Sequence, residues 1–146
     1  MTDAKSDLLE NAILGVIFNA TSLAGIFQDS SGGGNANLYV ALHTADPTDT
    51  PSSGMGTSEA TYTSYARATL ERTSSGFTVS GSSVHPTTDI TFPQATGGSD
   101  TITHWSVGLS TNSTADILYS GTVSPQISVS NGVTPRLTTA TAITES

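Results

Sequence analysis

Two hydrophobic periods divide this chain. Residues 6–18, SDLLENAILGVIF, place Leu9, Ile13, Val16 and Ile17 at spacings of three and four, which predicts an amphipathic helix. Ser6 or Asp7 is placed to cap its start, and Glu10 falls in the first turn, where negative charge suits the helix dipole. Residues 19–27 either extend this helix or form a separate turn, and SSGGGN at 30–35 ends the segment as a flexible linker. From Asn37 onward the period is two. Strands are predicted near 37–43, 66–72, 76–81, 88–92, 102–109, 116–120, 126–130 and 136–143, each short, rich in Val, Ile, Thr, Tyr or Phe, and mostly separated by turn residues. The pattern predicts a mainly β fold: a sandwich, or a barrel, of about eight short antiparallel strands preceded by the helix. It divides the chain into a helical segment over 1–30, a Gly-rich linker over 31–36 and a β-sandwich domain over 37–146.

Alternation also assigns faces. Leu38, Val40 and Leu42 share one face of the first long strand, and Trp105, Val107 and Leu109 share one face of another. These six are expected to meet in the core. Tyr39 and Ala41 then point the other way, as do Ile102, His104, Ser106 and Gly108. Residues 46–64 read as a long polar loop facing solvent or a neighbour.

Composition narrows the function. Only 11% of the 146 residues are charged, and Ser and Thr supply about a third of the chain. Twelve acids against four Lys and Arg give a net charge of -8, which argues against nucleic acid as a partner because phosphate binding needs a basic patch. No cysteine is present, so disulfides, thiolate metal sites and cysteine nucleophiles are excluded. The first residues, MTDAKSD, do not read as a signal peptide. No apolar run approaches the ~18 residues of a membrane span.

Candidate chemistry is sparse. His43, Asp46 and Asp49 lie close together in NLYVALHTADPTDT, but their spacing matches no recognised ligand pattern, and Asp-Pro is a turn signal. His85 precedes Pro86 in a loop, and His104 reads as a surface or interface residue. Serines are so frequent that Ser/His/Asp combinations arise by chance, and neither a G-x-S-x-G elbow nor a phosphate loop nor a dinucleotide fingerprint is present. Arg67 and Arg72 share one segment, with acids of the same chain as the expected partners and acids of a neighbour as the alternative. No catalytic residue, cofactor or metal is expected, and the chain reads as a structural or binding module.

The succession DLLENAILGVIF, LYVALHTADPTDT, YARATL, ITFPQATG, ITHWSVGLS and ILYSGTVS resembles a family of small tailed-bacteriophage virion proteins of tail-fibre-like type, over nearly the whole chain. LYVALHTADP is its most specific piece. The resemblance implies an N-terminal helix followed by a β-sandwich, and a non-enzymatic component of the virion assembled in the host cytoplasm. Because the chain shows no coiled-coil, collagen-like or β-helical shaft pattern, the expected role is a small capsid decoration protein. The alternatives are a tail-fibre or tail-associated structural protein, or a receptor- or carbohydrate-binding module using Tyr62 and Tyr65. Expected partners are other virion proteins of capsid or tail and copies of the chain itself as a homo-oligomer, with no nucleic acid and no membrane. The candidate interface is the apolar set Leu9, Ile13, Val16, Ile17, Leu23, Ile26 and Phe27; with Leu8, Leu14 and Phe18 these residues surround much of the helix, a wider stripe than one face of a small sandwich covers.

Overall fold

The computed structural model describes residues 4–19, 36–50, 54–111 and 117–145. The side chains of Asp7, Leu8, Asn11, Ala12, Gly15 and Val16 lie outside that description, as do Leu23, Ile26, Phe27 and the glycine-rich linker. Element order is β1 (Ala4–Lys5), α1 (Asp7–Asn19), β2 (Asn37–His43), β3 (Ala68–Glu71), β4 (Phe77–Ser80), β5 (Ser83–Pro86), β6 (Ile90–Thr91), β7 (Ser99–Gly108), β8 (Ile117–Ser130), β9 (Arg136–Leu137) and β10 (Ile143–Thr144). The strands form three sheets, ordered β1-β8-β7-β2-β3, β10-β5-β4 and β6-β9. Every pairing between them is antiparallel. The protein is therefore mainly β.

The central strands follow their predicted faces. β2 spans Asn37–His43 as alternation placed it, and its register with β7 sets Val40 opposite Val107 and Leu42 opposite Trp105. Directly opposed residues of an antiparallel pair share a face. Val40, Leu42, Trp105 and Val107 are buried in one cluster with Phe92, Leu118 and Leu137, and Leu38 and Leu109 pack against it half-buried. Ile102 departs from expectation: it is fully buried in this cluster rather than sharing His104's face. The register between β7 and β8 slips there. Ile102 faces Ile127 and His104 faces Thr122, so Thr103 stands opposite residues 123–126, and alternation does not carry across such a bulge.

The same bulge corrects the strand count. Two separate strands near 116–120 and 126–130 are in fact one, β8, whose break survives only as the bulge at 123–126. The predicted strand over 136–143 divides into β9 and β10. β1 and β5 were not expected. β5 is a short SVHP run that pairs β4 through the turn at Gly81, whose φ of 59° is left-handed and suits glycine.

The helix begins one residue later than predicted, and Ser6 caps it: its Oγ accepts the Leu9 N–H at 3.3 Å, the usual reach from the cap to the third helical amide. The segment leading into it belongs to the sheet. β1 adds to β8, and Ser6 N–H donates to the Leu118 carbonyl at 3.1 Å. Leu9 is buried in the main cluster and Ile13 packs against its edge. No helix among the described residues is long and apolar enough to cross a membrane.

Candidate functional site

The polar loop after β2 was expected to face solvent or a neighbour, and it does not lie free. It folds back over the second face of β2. Met55 is fully buried there with Ala41 and Ile117, and Tyr39 packs against them. Backbone bonds run from Thr44 N–H to the Ser58 carbonyl at 2.9 Å and from Ala60 N–H to the Leu42 carbonyl at 2.8 Å.

Two side-chain hubs lock this cover. Arg67 holds Glu59 with two parallel bonds, Nε to Oε1 at 2.7 Å and Nη2 to Oε2 at 2.8 Å, while Nη1 donates to the Ser110 carbonyl at 3.0 Å. The Tyr65 hydroxyl donates to Glu59 Oε1 at 2.9 Å and accepts the Leu42 N–H at 3.1 Å. Hydrogen bonding to Glu59 holds the Arg67 pKa above its ordinary value, and burial pushes the Tyr65 hydroxyl far up. The second hub is His43. A carbonyl can only accept, so His43 Nδ1 carries the proton and donates to the Thr57 carbonyl at 2.8 Å. Nε2 then accepts the Ser106 hydroxyl at 2.7 Å. Neither residue has any exposed surface. A serine hydrogen-bonded to a histidine is the core of a hydrolytic triad, but here a backbone carbonyl stands where a carboxylate would, and no substrate can reach the pair.

The sequence candidates separate accordingly. Asp46 Oδ1 accepts the Thr48 N–H at 2.9 Å, the turn-capping role its Asp-Pro context indicated. His43 is drawn away to Thr57 and Ser106, and no group of three metal-type side chains occurs among the described residues. Arg67 pairs within its own chain, as do Lys5 with Glu145 and Arg136 with Asp89. Tyr62 is buried, with its hydroxyl donating to the Pro93 carbonyl at 3.0 Å and its pKa pushed up to about 12, first by burial and then by Asp100. Tyr62 and Tyr65 meet edge to face at 5.3 Å between centroids. Both tyrosines that a glycan-binding reading needed at the surface are thus committed to the interior framework.

A groove of about 540 Å³ opens between the sheets, walled by Val40, Trp105 and Val107 on one side and by Phe77, Val79 and Val84 on the other. Its lining is almost wholly apolar, whereas a catalytic cleft needs convergent polar groups.

Besides Val79 on the groove wall, the large exposed apolar side chains among the described residues lie on α1. Leu14, Ile17 and Phe18 are 53%, 65% and 76% exposed. At spacings of three and four, Leu14 with Ile17 and Phe18 forms a flank of α1 that starts beside Ile13 and turns away from Leu9, which meets the core. The candidate interface therefore divides: Leu9 and Ile13 pack inward, Ile17 points outward, and Val16, Leu23, Ile26 and Phe27 lie outside the described residues. Leu14 and Phe18 join Ile17 on the outer face.

No curated protein matches the chain. A family model, that of the podophage GP4 fiber I protein gp80, matches residues 4–144. All six quoted stretches that carried the resemblance fall within that span. With nearly every residue of the chain inside the match, the protein belongs to this family and is a small tailed-phage virion protein of the tail-fibre-like kind.

Proposed function

We propose that the chain is a non-enzymatic structural component of a phage tail fibre, assembled in the host cytoplasm, that docks onto the particle or onto its own copies through the outer face of α1. The family match over residues 4–144 carries the fibre assignment. It favours the tail-associated alternative over capsid decoration, for which no specific observation speaks. The two facing sheets with the apolar groove between them support reading the domain as an irregular sandwich. The Leu14–Ile17–Phe18 face supports docking, because a contiguous apolar patch left in water drives association. Separating heads from tails of purified particles tests the position: the chain is expected in the tail fraction, and recovery with the heads returns the decoration reading.

A further inference from the structure

His43 joins three segments at a point without solvent. Its ring sits on β2, Nδ1–H reaches the Thr57 carbonyl of the covering loop, and Nε2 receives the Ser106 hydroxyl of β7. A second proton cannot be accommodated in this arrangement. Both nitrogens would then donate, and Ser106 would have to turn its oxygen to Nε2 and find a new acceptor for its own proton. The cation would also sit at 0% exposure, where an ion incompletely paired is costly. Three ionisable groups bear on it. Glu59 of the loop favours the charge, while Arg67, ahead of β3, and His104, across the strand pair on β7, oppose it. Glu59 is already held by the Arg67 guanidinium and the Tyr65 hydroxyl.

We propose that His43 is an acid-sensitive latch, whose protonation at Nε2 releases residues 54–60 from the sheet and uncovers the apolar patch of Met55, Ala41 and Ile117. The loop gives way before the strands do. β2 and β7 are paired along five residue positions, whereas the loop meets β2 at the single bridged position made by the backbone bonds from Thr44 and Ala60, its other ties, His43 apart, being side-chain bonds from the Thr44 hydroxyl to the Ser58 carbonyl and from Arg67 and Tyr65 to Glu59, and segments open in order of how little holds them. The sign follows from linkage. Burial, the largest influence, lowers the folded pKa of His43 below 6.5. The open state therefore binds the proton more readily, and the closed state keeps its full stability above 6.5 and loses it as pH falls toward the folded value.

Met55 reports the opening, since it has no exposed surface while the loop is closed. In the full chain, oxidation of Met55 by dilute hydrogen peroxide, followed by mass spectrometry, is expected to accelerate as pH falls below 6.5, by up to about tenfold per pH unit until the folded pKa is reached. Far-UV circular dichroism should stay unchanged over the same range. His43→Asn keeps an N–H for Thr57 and cannot titrate, so its Met55 rate should be flat. His104→Gln should keep the wild-type response. Ser106→Ala removes the donor that stabilises the neutral ring, which brings the folded pKa back toward 6.5, so its acceleration should level off at a higher pH and reach a smaller total than in the wild type. A flat wild-type rate between about pH 8 and about pH 5, or the wild-type slope persisting in His43→Asn, overturns the latch. Should His43→Asn not fold, a levelling-off point in Ser106→Ala no higher than that of the wild type overturns it equally.

Discussion

Arg67→Ala lowers the melting temperature by about 10 °C. The side chains of Arg67 and Glu59 are only 6% and 17% exposed, so removing the guanidinium leaves a shielded carboxylate facing Tyr65 alone. Breaking a buried pair in this way costs about 3–5 kcal/mol, and a chain of this size loses about 2–4 °C per kcal/mol. The loss is also structural, because Nη1 holds the Ser110 carbonyl and Glu59 anchors the loop over Met55. Arg136→Ala is the contrast. Its pair with Asp89 is 58% and 36% exposed at 3.3 Å, and such pairs contribute about 0–1 kcal/mol. Thermal melts of the two variants decide the matter: a drop below about 2 °C for Arg67→Ala would mean that water, rather than Arg67, satisfies Glu59.

Ile17→Ser combined with Phe18→Ser abolishes incorporation into particles while leaving the fold intact. Both side chains are mostly in solvent in the free chain, 65% and 76% exposed, so their loss should move stability by no more than about 0.5 kcal/mol. In a docked state each large side chain contributes about 1.5–3 kcal/mol on burial. The pair is thus worth roughly 3–6 kcal/mol, or at least about a hundredfold in affinity. Leu9→Ala should behave oppositely. Leu9 is 5% exposed within the main cluster, and truncating it costs about 2–5 kcal/mol of folding stability. Point substitutions are preferable to deleting residues 1–30, since a deletion also removes β1, the Ser6 bond to Leu118 and the Lys5–Glu145 pair. Melting curves and blots of purified particles separate the two effects. A serine pair that incorporates normally would remove the helix face from the account.

How much of this was legible in sequence depended on range. β2 and the buried face of β7 were readable because period-two alternation is a local signal and both strands have one strongly apolar side. The helix start was readable because Ser6 caps it through a contact three residues away. β5 was not, since SVHP is short, ends in proline and has no apolar alternation of its own; pairing with β4 makes it a strand. The bulge in β8 was visible only as a gap in the pattern, which equally suits two strands. The locked loop had no local signature at all. Glu59, Tyr65 and Arg67 carry spacing that suits any surface segment, and the contacts that define their role run to Leu42 and Ser110. His43 and Ser106 are 63 residues apart. The helix periodicity located the apolar residues but not which of them the sheet would cover, because that depends on how β1 sets the helix against β8.

The most direct measurement uses the absence of cysteine. An Ile17→Cys variant carries a single thiol on the outer face of α1, which can bear a photo-activated cross-linker through particle assembly. Cross-links to a tail or fibre component, or to a second copy of the chain, are the predicted products. Cross-links to the capsid shell alone, or none in particles that contain the variant, would contradict the account.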